Sequence, residues 1–182
     1  MSENPQAGRN VLTVRKNMLT VRKSTLEDLP RLVQIYREGR EIMLSCGDVN
    51  QWKPGYPDEA TIRNDIGRGV SHAILAGATI VGAFAFIAGA DPTYSTIYNG
   101  AWLEDSAPYC TIHRLASTKD SHGVAEACFD WCWEQIHNLR VDTHEDNVIM
   151  RHCIEKAGFR YCGVIHLLNG DPRLAYQKTG QA

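Results

Sequence analysis

The stretch that decides the fold is YCTIHRLASTKDSHGVA, residues 109–125. Its first half, Tyr109–Ala116, is rich in strand-forming residues and predicts a strand. A short polar segment follows, and Gly123–His137 then has the apolar spacing of a helix. The first residues of a helix present unpaired N–H groups and the positive end of its dipole. A strand, a short loop and a small-residue helix start therefore favour an anion site.

The start of this helix predicts a loop that binds phosphate. Gly123 and Ala125 leave the backbone open to an anion, and Lys119 and His122 add cationic or donor groups. A glycine before a helix is also common as a plain turn, so the pattern alone leaves both interpretations open.

A second region, residues 139–159, has a similar arrangement. Leu139–Thr143 predicts a short strand, Asp146 is placed to cap a helix over about residues 147–156, and Gly158-Phe159 is typical of that helix's end.

The rest of the chain supplies two helices and five strands around these regions. The elements are a strand at Leu19–Lys23, a helix after a capping box at Ser24–Glu27 that ends at Gly47, a helix over 59–67, a hairpin of Ser71–Ala76 and Thr79–Ala88, and strands at Arg160–Leu168 and Arg173–Lys178. The order βααβββαβαββ predicts a layered α/β domain.

Residues 109–125 and 139–159 together resemble the GNAT superfamily of N-acetyltransferases. That family carries Q/R-x-x-G-x-G/A at its pyrophosphate loop, and here Asp120–Ala125 matches both small positions, with Asp120 at the first. The family also has an Asn that opens a helix ending in G-F, which Asn147 and Gly158-Phe159 match. The element order over residues 19–178 matches as well.

The resemblance implies one GNAT-like α/β domain over residues 18–182. Its central sheet would be mixed and mostly antiparallel, with helices on both faces. Leu12–Lys16 and Leu19–Lys23 repeat the same five letters, and the second copy is the predicted strand. We therefore predict that residues 1–17 are a disordered tail or extension.

The resemblance also implies acetyl-coenzyme A as the acyl donor. Its pantetheine would lie where the fourth and fifth strands splay apart, and a backbone N–H of the fourth strand would meet the developing oxyanion. The residues that these expectations place at the cofactor are Arg114, Leu115, Ala116, Ser117, Lys119, His122, Gly123, Val124, Ala125 and Asn147.

His113 is the candidate catalytic base. It lies on the strand expected beside the thioester, and imidazole titrates in the range needed for proton transfer near neutrality. A structural histidine, hydrogen-bonded within a covered strand, explains it equally well. Glu104 and Asp105 are further candidates, and His144-Glu145 lies near the cleft by analogy with the family.

The sequence does not identify a general acid. In the family it is often a Tyr five residues before the Phe of G-F, and the matching position here is Ile154, which cannot donate a proton. Three alternatives remain. Another group acts as the general acid in place of the Tyr, the thiolate leaves without a proton donor, or the chain binds acyl-coenzyme A without catalysing a reaction. A third function class is a protein-interaction domain.

The loop after the first long helix is the candidate acceptor site. Trp52 and Tyr56 could form a wall for an acceptor with polar handles. A Trp that closes the rim of the core is an equal alternative. The predicted acceptor is an amine of a small molecule or peptide.

Composition limits the other function classes. Among 182 residues, 19 Lys and Arg against 21 Asp and Glu give a net charge of −2, which disfavours extended nucleic-acid binding. Six cysteines without C-x-x-C spacing predict free thiols and a cytoplasmic location. We predict no metal and no membrane association, and the sequence leaves room for a homodimer.

Overall fold

A computed structural model describes residues 19–180, so the predicted tail over residues 1–17 lies outside the described part. The described residues form strands and helices in the predicted order. The strands are β1 Leu19–Lys23, β2 Ser71–Ala76, β3 Thr79–Ala88, β4 Cys110–Ser117, β5 Asn138–Thr143, β6 Arg160–His166 and β7 Pro172–Thr179. The α-helices are α1 Leu29–Ser45, α2 Glu59–Gly67, α3 Val124–Gln135 and α4 Val148–Lys156. Short 3-10 helices occupy Leu26–Asp28 and Pro92–Tyr94.

The strands form one sheet in the order β1-β2-β3-β4-β5-β7-β6. Every neighbouring pair is antiparallel except β4 and β5, which run parallel. The mixed, mostly antiparallel sheet is therefore confirmed. The parallel pair needs a crossover, and α3 provides it.

Helices cover both faces of this sheet, as predicted. On one face, α1 and α2 bury an apolar cluster that includes Leu32 and Ile62. On the other face, α3 and α4 bury a cluster that includes Phe129 and Ile154. Burial on both sides explains why β3 is an almost continuous apolar run.

Strands β4 and β5 separate soon after they meet. They pair only through Cys110–Ile112 and Leu139–Val141. On its other side, β4 contains a bulge, since Ala85 pairs with His113 but Ala83 pairs with Ala116. Bulges bend a strand and increase its twist. The splay that the resemblance implies is thus present, and it opens a gap in the middle of the sheet.

Two predicted helix caps lie one residue away from their observed positions. Asn147, and not Asp146, caps α4, because its side chain accepts a hydrogen bond from the Met150 backbone N–H. Asp146 is occupied elsewhere, since it accepts a hydrogen bond from Asn50.

The capping box that precedes α1 is formed by Thr25 and Asp28 instead of Ser24 and Glu27. The Asp28 carboxylate accepts a hydrogen bond from the Thr25 backbone N–H at 2.8 Å. It also holds the Arg22 guanidinium through two bonds of 2.6 and 2.8 Å. Arg22 therefore decides which acidic residue closes the box, and this contact with β1 was not visible in the local pattern.

All six cysteines lie among the described residues, and each is a free thiol. Over residues 19–180, no helix combines the length and the apolar character that crossing a bilayer requires.

Candidate active site

A narrow pocket of about 150 Å³ occupies the gap beside the diverging end of β4. Mostly small or apolar residues from α1, β4, α3 and the start of α4 form its wall, together with Asp48 and Asp146. Six of the predicted cofactor residues line it together: Leu115, Ala116, Ser117, Val124, Ala125 and Asn147.

Gly82 on β3 lets helix α3 approach the sheet at this pocket. A Cβ atom on Gly82 would lie 2.4 Å from Val124 Cγ1 and 3.1 Å from the Ala116 carbonyl oxygen. Real Cβ atoms do not approach other atoms so closely, so the absent side chain sets the position of the first turn of α3.

The N-terminus of α3 is open to an anion. Gly123 is its N-cap residue, with φ of +75°, and within the described residues no side chain caps the helix. A Cβ built on Gly123 would meet nothing within 4 Å. First-turn N–H groups that are neither capped nor covered fit a pyrophosphate.

Lys119 and His122 stand apart from this pocket wall. Lys119 Nζ donates to Glu41 Oε2 at 2.7 Å, so its charge is paired with α1. His122 is exposed beside the helix start. The structure therefore brings the small residues of the predicted loop together and leaves its two cationic candidates at the rim.

A larger cleft of about 620 Å³ adjoins the first pocket and shares Met43, Leu115, Asn147 and Met150 with it. Its floor contains His113 and Arg114 from β4, and Asp142 and Thr143 from β5. The gap between β4 and β5 thus connects the predicted cofactor side to a second, more polar cavity.

His113 forms a pair with Asp91 in this cleft. His113 Nε2 lies 3.0 Å from Asp91 Oδ2, and each side chain is about five-sixths buried. The other oxygen of Asp91 accepts hydrogen bonds from the backbone N–H and the hydroxyl of Thr93. Burial alone would raise the pKa of Asp91, but the bonds from His113 and Thr93 outweigh it, and the pKa lies well below the usual aspartate range.

This pairing fixes the tautomer of His113. An ionised carboxylate can only accept, so Nε2 carries the hydrogen, and in the neutral imidazole the lone pair is then on Nδ1. Sequence reasoning did not identify Asp91, which follows β3 in an irregular segment. Asp91 followed by Pro92 is a helix-cap signal, and it caps the 3-10 helix at Pro92–Tyr94, but nothing local indicated His113 as a partner.

Arg114 is notable both for its backbone conformation and for the contacts of its side chain. Its backbone adopts φ of +55° at the bulge in β4. Its side chain is largely buried and donates to Asp65 of α2 at 2.8 Å and to the Tyr56 hydroxyl at 3.1 Å. The side chain therefore belongs to the larger cleft, and Arg114 does not line the narrow pocket that holds its neighbours Leu115 to Ser117.

The predicted acceptor residues both line the larger cleft. Tyr56 is exposed there, with its hydroxyl bonded to Arg114. Trp52 is only 7% exposed and contacts the rings of Tyr36 and Tyr56 edge-on, with centroids 6.0 and 6.2 Å apart. Trp52 thus closes the rim of the core and forms part of the cleft wall at once.

The loop that carries Trp52 is held over the ends of β5 and β7. Gln51 Oε1 accepts hydrogen bonds from the Thr143 hydroxyl and the His144 backbone N–H. Arg173 donates to the carbonyl oxygens of Asn50 and Gln51. The acceptor wall is therefore fixed to the same strands that frame the gap.

The other candidates for proton transfer have structural surroundings. The Glu104 carboxylate accepts from Ser106 and Ala107, and Asp105 pairs with the buried Arg140. Neither Glu104 nor Asp105 lines either cavity. Ile154, at the family's Tyr position, is fully buried in the core.

Solved structures with a similar fold include several acetyltransferases. A GNAT-family acetyltransferase from Streptococcus agalactiae 2603 is 31% identical over 90% of this chain and 96% of its own, with a TM-score of 0.81. One from Listeria monocytogenes 4b F2365 is 16% identical, over 88% of this chain and 94% of its own, with a TM-score of 0.66. Aminoglycoside acetyltransferase AAC(6')-Ib, solved with coenzyme A and kanamycin, is 18% identical over 90% of this chain and 96% of its own, with a TM-score of 0.62.

No model of a protein family matches the sequence, nor does any curated protein. The fold, with its splayed central strands and open helix start, defines an acyltransferase class. The sequence identity and coverage of the streptococcal structure show more specifically that the chain belongs to the GNAT family of acetyltransferases.

Proposed function

We propose that this protein is an N-acetyltransferase that moves an acetyl group from acetyl-coenzyme A to an amine of a small molecule or peptide. The observation that carries the proposal is the gap between β4 and β5. It has an uncapped helix start at one end and the His113–Asp91 pair at the other. Direct attack within a ternary complex suits this layout, because both cavities open into the same gap.

The pocket residues fit acetyl-coenzyme A. Bound there, it supplies the acetyl group as a thioester. Ala116, Ser117 and Ala125 leave room along the gap, and the first turn of α3 would hold the pyrophosphate. The backbone of Arg114–Ala116 would place an N–H donor where negative charge develops on the carbonyl oxygen.

His113 would accept the proton of the attacking amine at Nδ1, since Nε2–H is held by Asp91. The Asp91 carboxylate would then stabilise the imidazolium that forms. The thiolate would leave and take its proton from solvent, because Ile154 has none to give.

The acceptor class follows from the larger cleft. Its volume of about 620 Å³ is in the range of small-molecule sites. The complex of AAC(6')-Ib with kanamycin and coenzyme A, on a related fold, supports a small-molecule amine. The free thiols favour a reducing compartment, and we propose a cytoplasmic location.

Turnover of acetyl-coenzyme A against a panel of amines tests the proposal. We expect thiol release that depends on one class of amine, together with calorimetric binding of acetyl-coenzyme A in its absence. Binding without turnover across the panel would instead support a non-catalytic acyl-coenzyme A module, the function that Ile154 favours. Absence of binding at millimolar acetyl-coenzyme A would contradict both.

A further inference from the structure

Three side chains that can ligate a metal ion meet beside the cleft. Asp48 follows α1, and His144 and Asp146 follow β5. One ligand atom from each lies within 4.8 Å of the other two. None of the three takes part in the proposed acetyl transfer, and the two segments that carry them are far apart in the sequence.

Among these three residues, Asp48 gives the strongest reason to expect a bound cation. Asp48 is only 3% exposed, and its Oδ1 accepts a hydrogen bond from the Gln51 backbone N–H at 3.1 Å. Oδ2 is buried and has no hydrogen-bond partner among residues 19–180. A buried carboxylate oxygen without a donor is costly, so native proteins rarely leave one unless a proton, a water or an ion completes it.

His144 and Asp146 complete the group from the other side. His144 Nδ1 lies 3.3 Å from Asp146 Oδ2, and the same nitrogen accepts a hydrogen bond from the Asp146 backbone N–H at 3.2 Å. A nitrogen that accepts in this way carries a lone pair and cannot also donate to the carboxylate. That hydrogen bond uses the one lone pair of Nδ1, so an ion at this nitrogen would replace the Asp146 N–H, while the Asp146 carboxylate, which accepts from Asn50, keeps further acceptor capacity.

We propose that Asp48, His144 and Asp146 bind a divalent transition-metal ion, with Zn²⁺ as the reference case. One imidazole and two carboxylates are a donor set that Zn²⁺ accepts, and the imidazole disfavours Mg²⁺ and Ca²⁺. Three protein ligands leave a coordination position for water. The ion neutralises the buried Asp48 carboxylate, which no other group described here does.

The site is a clamp at the junction of the two cavities. Asp48 and Asp146 line the narrow pocket, and the loop from Asp48 to Trp52 forms a wall of the larger cleft. A bound ion ties that loop to the turn between β5 and α4, where Gln51 and Asn50 already make hydrogen bonds. This inference is independent of acetyl transfer and does not require the protein to be catalytic.

Metal binding to the full chain after chelator treatment tests the proposal. Calorimetry should show one equivalent of Zn²⁺ bound, with a raised melting temperature, because the ion binds the folded state. Co²⁺ should give a visible spectrum of nitrogen and oxygen ligation. Asp48→Asn and His144→Gln should each weaken the affinity on the order of 100-fold, since loss of even an outer-shell partner costs about 10–100-fold.

Two matched controls are available in the same region. Glu145→Gln removes a neighbouring carboxylate outside the group and should bind as the parent does. Cys46→Ser removes the exposed thiol nearby and should leave the Co²⁺ spectrum unchanged.

Three outcomes would overturn the proposal. They are no binding at millimolar Zn²⁺, parental affinity in both ligand variants, or sulfur-to-Co²⁺ bands that vanish in Cys46→Ser. If Asp48→Asn does not fold, His144→Gln decides alone, because His144 follows β5 and belongs to none of the apolar core clusters.

Discussion

The two cavities that meet between β4 and β5 are built in different ways. The narrow pocket is lined mostly by small and apolar residues from three segments, 39–48, 115–125 and 146–150, and includes the starts of α3 and α4. The larger cleft depends on side-chain pairs that join distant segments and that each contain a carboxylate, such as Asp91 with His113 and Asp65 with Arg114. The first can be disturbed by adding atoms, and the second by removing a charge.

The largest effect should come from the charged cleft. His113→Gln keeps a similar shape but lacks a basic nitrogen, so kcat/KM at neutral pH should fall by about 100-fold or more. The deficit should shrink at high pH, where free amine is abundant. Acetyl-coenzyme A affinity should stay unchanged, because His113 lies outside the narrow pocket. Full activity with the parental pH profile would return His113 to a structural role.

Added atoms should disturb the other cavity through its packing. Gly82→Ala places a Cβ 2.4 Å from Val124 Cγ1, and such overpacking costs about 1–3 kcal/mol of unfolding free energy. The melting temperature and the acetyl-coenzyme A affinity should fall together, since α3 is displaced. The double variant with Val124→Ala should recover part of both. An unchanged melting temperature in the single variant would mean that the strand tolerates the side chain.

Charge at the start of α3 should have a moderate effect. Gly123→Glu places a carboxylate beside the expected pyrophosphate, and acetyl-coenzyme A should bind about tenfold more weakly than to Gly123→Ala. Both variants carry the cost of a Cβ at φ of +75°, so their difference isolates the charge. Equal affinities in calorimetry would place the pyrophosphate elsewhere.

The smallest effect concerns stability and pH in the charged cleft. The folded-state pKa of Asp91 is lowered, so its bonds to His113 and Thr93 stabilise the protein above the unfolded pKa of about 3.9. Asp91→Asn should therefore melt earlier than the parent near neutral pH, and the gap should narrow as pH falls below about 4. Asp120→Asn, an exposed carboxylate, is the control. A gap that persists at low pH would show that Asp91 acts through packing alone.

The fold was predictable because its signals are local. The hairpin of β2 and β3 matches its predicted bounds. Its two strands are apolar runs that lie on either side of a turn at Gly77, so the local sequence marks both the strands and the turn. The two shifted caps show the limit of such signals. Asp28 and Asn147 were chosen over their neighbours by contacts with Arg22 and with the α4 backbone.

The candidate site was predictable only where backbone builds it. Small residues before a helix indicate an open N-terminus, and Ser117, Val124 and Ala125 line the pocket while residues 118–123 do not. Asp91 and Asp65 were missed, because a carboxylate in a loop or on a short helix carries no mark of a partner that only the folded sheet brings near. The role of Lys119 stays a prediction: its ammonium is paired with Glu41 of α1, a contact between distant segments that the local pattern did not indicate.

The bulge at Arg114 has a consequence for how such a protein changes over evolutionary time. Ala83 and Gly82 fix the register of β4 from Ala116 onward, while Ala85 fixes it at His113. Because the extra residue separates these two blocks, a substitution near His113 need not shift the pairing of Ala116 with β3. Under the proposed function, this separation would let the acceptor preference change while the donor end of the strand is kept.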